Sequence, residues 1–466
     1  MTHWKNHKRA AALSLALFVY PVSGDAQSQS PPPAEAAAGG AATGAARVLT
    51  LGDAVLLALK NQPAIRAARQ RVNAQDAILG QAKSAYYPTI NLNGTWTDTT
   101  QSGQTTSSPQ DFVNVNSATR LDWTVYDFGK REGSVEQERD SLQSRRFAER
   151  TSVEEVVVNV KRAYYRYLQA KVLVRVREDT VRDRETLVRQ AKGFFEVGTR
   201  PRIDVARAEA NLYGAEAELI GAQNGVKITW AELKNAIGLE DFPVRPLAEE
   251  ALLDRPVETL SEELKIVRPA FSFEKALDTA YSLRPELKDF EAQRKARDAA
   301  IATARRGHLP DLTFNSSYGR RGANTRTGKG IYPLDLNWSV GFAVNIPIFN
   351  GFQTTYEVEE AMSNYSELEA IEAQTRQQIA LEVERSYLNI IETAERIRAT
   401  EAAARSAKEN LDLANGRYRV GVGSIIEITE AQVINTLAQT NLIQAIADYK
   451  IFEADLAKAV GQGVAR

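Results

Sequence analysis

Apolar residues in this chain follow two different periods, and the two take turns along it. Residues 134–192 and 352–415 contain neither glycine nor proline. Their absence predicts unbroken helices about 90 Å long at ~1.5 Å per residue. A shorter helical run follows each. Val205, Ala208, Leu212, Ala215, Leu219, Ala222, Val226, Leu233 and Ala236 form one heptad seam. Ile428, Ala431, Asn435, Ala438, Leu442, Ala445, Tyr449, Phe452, Leu456 and Ala459 form the other. Alanine at one seam position lets neighbouring helices approach closely. Ahead of each long run the period drops to two. Ile90, Leu92, Gly94 and Trp96 alternate with polar neighbours, as do Leu121, Trp123 and Val125 after a polar loop. Leu312, Phe314, Ser316 and Tyr318 predict a weaker strand, and alternate positions from Leu336 to Ile348 a long one. A strand of about ten residues with one apolar face suits a membrane barrel and equally a half-buried soluble sheet. Tyr86, Tyr87, Tyr126, Tyr318 and Tyr332 stand near the predicted strand ends, where a membrane–water interface favours them.

The chain is also written twice. Pro63, Pro88 and Gly129 recur as Pro285, Pro310 and Gly351 at one interval (285 − 63 = 222). Gly193-Phe194-Phe195-Glu196-Val197-Gly198 is echoed by Gly416-Arg417-Tyr418-Arg419-Val420-Gly421 at an interval one longer, which holds to Gly238 and Gly461. A single slip over so long a stretch indicates tandem duplication, with a period far beyond the ~20–50 residues of solenoid units. Residues 49–238 make the first repeat, residues 271–461 the second, and the proline-rich residues 239–270 join them.

Composition removes most chemistry. The net charge of −1 gives no basic excess for nucleic acid. There are no cysteines, and His3, His7 and His308 are the only histidines. Thiolate sites, the usual zinc sites and a histidine-based triad are all excluded, so no cofactor and no enzyme is expected. Residues 1–26 read as a secretory signal. Lys5, Lys8 and Arg9 precede an apolar run from Ala10 to Tyr20, with cleavage after Gly24 or Ala26. Residues 27–48, rich in Pro, Ala, Gly and Ser, read as a flexible lead-in.

With these features together, residues 49–461 resemble the TolC-like outer membrane efflux protein family. The resemblance rests on the duplication and on the order helix, strand, loop, strand, helix, helix in each half. The turns Val197-Gly198-Thr199-Arg200 and Val420-Gly421-Val422-Gly423-Ser424 carry it, as do the corners Asp127-Phe128-Gly129 and Phe349-Asn350-Gly351. It implies a mainly α chain with a membrane β part. Each chain would give four strands to a twelve-stranded barrel in the outer membrane of a Gram-negative bacterium, formed by a homotrimer. A long α-helical coiled-coil barrel would cross the periplasm, and residues 239–270 would add to its equatorial collar. The implied function is an exit duct of a tripartite efflux pump or type I secretion system. Its partners would be a periplasmic adaptor, an inner membrane transporter and outer membrane lipid. The competing expectation is a secreted structural coiled coil without a pore, its strands buried against itself.

A duct does its work at its narrowest place and its docking surface. By resemblance the narrow place is the periplasmic tip, where the helical turns lie. Asp204 falls six residues after Gly198, Glu427 six after Gly421, and Glu430 one helical turn further on the same side. In a trimer these become carboxylate rings that favour cations and accept basic or phenolic bridges. Tyr418 matches a family residue of the closing network. Gly423 stands where well-known members carry a tip arginine, and Arg200 supplies one at the turn of the first copy. The plainer roles are structural: Ser424 with Glu427 reads as a capping box, and Asp204 meets a helix dipole after Pro201. Gly198, Thr199, Gly421 and Gly423 are the candidate adaptor-docking turns. Two resemblances mislead. Gly322 to Gly330 has the wrong spacing for a phosphate loop, and the basic cluster Arg320, Arg321, Arg326 and Lys329 reads as a solvated loop. Asp127-Phe128-Gly129 mimics a kinase triplet without the accompanying catalytic loop.

Overall fold

A computed structural model describes residues 49–101, 110–239, 272–325 and 334–463. The predicted signal, the lead-in, almost all of the linker, Tyr332, Arg326 and Lys329 lie outside the described residues. In the first repeat α1 (Leu51–Asn61), α2 (Pro63–Ser84), β1 (Thr89–Gln101), β2 (Gln110–Tyr126), α3 (Lys130–Glu196) and α4 (Arg202–Ile237) follow one another. The second repeats the order with α5 (Phe273–Leu283), α6 (Pro285–Arg305), β3 (Asp311–Thr325), β4 (Asp335–Asn345), α7 (Gln353–Arg419) and α8 (Ile425–Ala459). A short 3-10 turn, Arg306–His308, precedes β3. Both long helices have 67 residues, about 100 Å at ~1.5 Å per residue.

The four strands form one antiparallel sheet in the order β1-β2-β3-β4, so β2 and β3 pair across the repeats. Register sorts its two faces. Ile90, Leu121, Ser316 and Val340 share one row, as do Leu92, Thr119, Tyr318 and Trp338. The opposite face carries Asn91, Arg120, Ser317 and Ser339, then Asn93, Ala118, Gly319 and Asn337. Large apolar residues stay exposed on the first face, Trp96, Trp338 and Phe342 among them, which a barrel with lipid outside and water inside requires.

The strands correct the sequence expectation in several places. β1 and β2 run well into the stretch read as a polar loop, because backbone pairing holds Thr97 to Gln101 against Gln110 to Asn114 whatever their side chains. β4 stops at Asn345, leaving Ile346 and Ile348 outside it; Pro347 has no amide to offer a ladder. Tyr318 lies mid-strand opposite Trp338, and Arg320 and Arg321 belong to β3 rather than to a loop.

The strand-to-helix corners also shift the repeat alignment. Phe128 and Gly129 both have positive φ (55° and 89°), and so do Gly351 and Phe352 (67° and 68°). Gly129 therefore corresponds to Phe352, not to Gly351, and the one-residue slip falls before the corner. Two successive left-handed residues turn the chain in each half, with glycine and phenylalanine in opposite order. The first corner is held by charge. Arg131 Nε donates to Asp127 Oδ2 at 2.9 Å, and its other nitrogens reach the carbonyls of Thr124, Val125 and Ala85. At the second, Asn350 Nδ2 donates to Thr354 Oγ1 at 2.6 Å.

Both predicted heptad seams face inward. In the first repeat Leu233 and Ile237 pack on Ala54, Ala58, Val160 and Tyr164; in the second Leu442 and Tyr449 pack on Ala276, Ala280 and Val383. Fully burying a leucine stabilises by about 1.5–3 kcal/mol. Gly238 and Gly461, both left-handed, end α4 and α8 in the same way. The residue before each proline closes those ends: Gln62 donates to the carbonyls of Asn235 and Ala236, and the buried Arg284 to that of Ala459.

Candidate functional site

Each long helix ends in a tight turn of one design. Gly198 after α3 and Gly421 after α7 are left-handed (φ 71° and 84°), a conformation a Cβ would penalise. Behind them the amide of Thr199 donates to the carbonyl of Phe194 at 2.9 Å. The amides of Val422 and Gly423 donate to that of Arg417 at 3.1 and 2.9 Å. These bonds satisfy carbonyls that a helix end leaves open. The turns then diverge. Pro201 opens α4 with no side-chain cap, whereas Ser424 Oγ accepts from the Glu427 amide at 3.1 Å. A Cβ on the buried Gly423 would come within 2.9 Å of the Tyr418 amide nitrogen, so no side chain fits there unless the backbone moves.

Arg200 ties the two turns together. Its Nη2 donates to the carbonyls of Gly421 (3.0 Å) and Gly423 (2.6 Å), and its guanidinium carbon stands 5.8 Å from the Tyr418 ring centre. Tyr418 is fully buried and meets Phe194 edge to face at 5.5 Å. Its hydroxyl is buried without a hydrogen-bond partner among the described residues. Burial pushes the phenol above its ordinary pKa; the charge of Asp204 adds to this and that of Arg200 opposes it. Asp204, only 8% exposed, lies in the first turn of α4.

The three candidate acids thus occupy three environments. Asp204 is buried beside Tyr418, and Glu430 is exposed. Glu427 pairs with Arg417, Oε1 to Nε at 2.9 Å. The expected capping box is therefore only half made, because the Glu427 carboxylate turns to Arg417 rather than back to Ser424. Sequence reasoning missed Arg417 and Phe194. Both lie in the echoed stretch at equivalent positions, but nothing in that stretch marks which partner either side chain takes.

Around the turns the two repeats share one core. Leu187, Val188, Ala191 and Ala208 of the first pack with Leu411, Ala414, Tyr418, Ile425, Ile428 and Ala431 of the second. Further along, the α3–α8 contact turns polar. Beyond Val172, Val176 and Ile443 come Thr180 and Thr436, their hydroxyls 3.1 Å apart. Arg184 Nε and Nη1, Gln432 Oε1 and Asn435 Oδ1 follow, all buried with no partner among the described residues. No three His, Asp or Glu side chains among those residues could hold a metal ion.

The family model described as "Outer membrane efflux protein" matches residues 55–239 and again 276–462. The chain belongs to the outer membrane efflux protein family. Among its relatives, protein CyaE of Bordetella pertussis is 25% identical over 395 residues, covering 82% of this chain and 78% of CyaE. The outer membrane protein TolC of Vibrio cholerae is 27% identical over 311 residues, covering 66% of this chain and 67% of TolC. Among solved structures, CusC superposes with a TM-score of 0.73 at 19% identity, covering 89% of this chain and 92% of CusC. The open state of Neisseria gonorrhoeae MtrE superposes at 0.69 and 19%, covering 89% of each chain.

The fold is thus the duplicated TolC-like one, a long helical barrel with four strands per chain joining a trimeric membrane barrel. The protein is an outer membrane channel and not an enzyme, an exit duct of the kind that serves efflux and secretion systems. It resides in the Gram-negative outer membrane, its helices reaching into the periplasm. The alternative of a pore-free structural coiled coil falls with this membership. Channels of the family are trimeric and work with adaptors and inner membrane pumps.

Proposed function

We propose that three copies of this chain form a passive exit duct whose gate is the pair of helical turns, held shut from within each chain by Arg200. The observation that carries this is the double hydrogen bond from Arg200 of the first repeat to the carbonyls of the second turn. Parting the α7–α8 pair from α3–α4 breaks that clamp and opens the shared core around Tyr418. The polar layer at Arg184, Gln432 and Asn435 favours the motion, because groups buried without partners gain water when the helices part. Asp204 and Glu430 stand without an ion-pair partner among the described residues and supply the negative rings of the constriction; Arg417 offsets Glu427 in part. The turns at Gly198, Thr199, Gly421 and Gly423 receive a periplasmic adaptor, which with an inner membrane transporter supplies the work of opening and selects the cargo. Exposed Val197, Val420 and Val422 give that docking surface its apolar contacts.

Single-channel conductance in planar bilayers tests this, with wild type beside the triple variant Asp204→Ala, Glu427→Ala, Glu430→Ala. Small cation-selective openings that enlarge and lose selectivity in the variant support the gate. Conductance unchanged by the substitutions places the constriction elsewhere.

A further inference from the structure

On β3 the apolar face ends in an arginine, while on β1 and β2 it continues one row further to Val115 and the exposed Trp96. Along β4 and the segment after it, Trp338, Val340, Phe342, Val344, Ile346 and Ile348 are all exposed on one side. Tyr318 stands opposite Trp338, and one outward position further along β3 Arg320 stands opposite Leu336 and Ser117. That step is about 7 Å along the strand. The long helices leave the sheet at the Tyr126 and Asn345 ends, so Arg320 lies toward the outer leaflet, past the aromatic pair. It is exposed, and its side chain makes no hydrogen bond or ion pair among the described residues. On its β2 side and beyond it the neighbours are small: Ser117 beside it, Gly94 in the same row with open space where a Cβ would be, and Gly322 next along the strand. Asp98, an acid of the same face, is two strands and two rows away, over ~10 Å and too far to pair. Arg321 points to the other face, opposite Asp335.

A charge in the middle of an apolar band is costly and at its rim is not. Tryptophan and tyrosine mark the headgroup level, and a guanidinium matches a phosphate with two parallel hydrogen bonds. We propose that Arg320 binds the phosphate of a phosphorylated glycolipid in the outer leaflet, with Tyr318 and Trp338 against its sugar. The inference rests on reading this face as the lipid side of the barrel.

Native mass spectrometry of the purified, folded trimer tests it. The probes are bisphosphorylated lipid A, the same lipid dephosphorylated, phosphatidylglycerol, and inorganic phosphate. Wild type is expected to retain bisphosphorylated lipid A about tenfold more strongly than Arg320→Gln does. Arg320→Lys should fall between, and Arg321→Gln, on the opposite face, should match wild type. Equal retention by Arg320→Gln, or equal loss in Arg321→Gln, overturns the assignment. So does equal binding of phosphatidylglycerol, of dephosphorylated lipid A or of free phosphate to wild type; these lipid arms need no variant to fold. Failure of wild type to insert into bilayers would instead overturn the membrane reading of the sheet, which separates the two failures.

Discussion

The two turns sit at equivalent places in a duplicated chain, yet an arginine of the first bonds the carbonyls of the second and nothing comparable runs the other way among the described residues. Phe195 and Tyr418 are counterparts, but Phe195 is 44% exposed and Tyr418 fully buried. Arg200 and Gly423 are counterparts too, and the arginine of the first turn bonds the carbonyl of the glycine in the second. The two repeats therefore carry one backbone device with different side-chain contacts. A gate needs such asymmetry, because two turns with identical contacts would give an opening force no reason to move one before the other.

The largest test of this contrast is truncation at the counterpart aromatics. Tyr418→Ala is expected to cost about 3–5 kcal/mol in chemical denaturation, as for a buried aromatic. Phe195→Ala should cost under about 1 kcal/mol, and equal costs would erase the asymmetry. Next comes Arg200→Ala, expected to lose about 1–2 kcal/mol with two hydrogen bonds from a charged donor. Limited trypsin cleavage should then quicken after Arg417 and Arg419, at the end of α7 beside the second turn. An alkaline titration probes the same core. The folded Tyr418 phenol titrates above its ordinary value of 10.0, so its contribution is intact below that pH and is lost as pH rises through the folded value. Tyr418→Phe should remove that alkaline slope while leaving neutral-pH stability within about 0.5 kcal/mol, since the hydroxyl has no partner to lose. The smallest effect belongs to the Arg417–Glu427 pair, whose side chains are 57% and 40% exposed. Glu427→Gln should cost under about 0.5 kcal/mol, and salt should erase it.

The fold was legible because its signals are long. Glycine-free runs, inward seams and period-two strands each extend over enough residues to outweigh local noise, and duplication allowed each to be read twice. Signals that depend on a partner strand were not legible. Thr97 to Gln101 look like loop because their pairing, not their side chains, makes them strand. The corner misled for a related reason. Aligning Gly129 with Gly351 matches residue type, but the backbone matches Gly129 with Phe352 because both are left-handed. At the turns, Asp204, Tyr418 and Arg200 could be named from their spacing and the resemblance. Arg200 acting on carbonyls could not, since backbone acceptors leave no trace in sequence. Nor could the Glu427–Arg417 pair, whose members lie ten positions apart and meet only because the chain reverses between them.

The most direct test of the held turn is the conductance of purified trimers in planar bilayers, wild type against Arg200→Ala and Arg200→Lys. Loss of the clamp should raise conductance several-fold in Arg200→Ala and less in Arg200→Lys, which keeps the charge but not the planar fork. Wild-type conductance in Arg200→Ala, from protein shown to be folded and trimeric, would contradict the clamp.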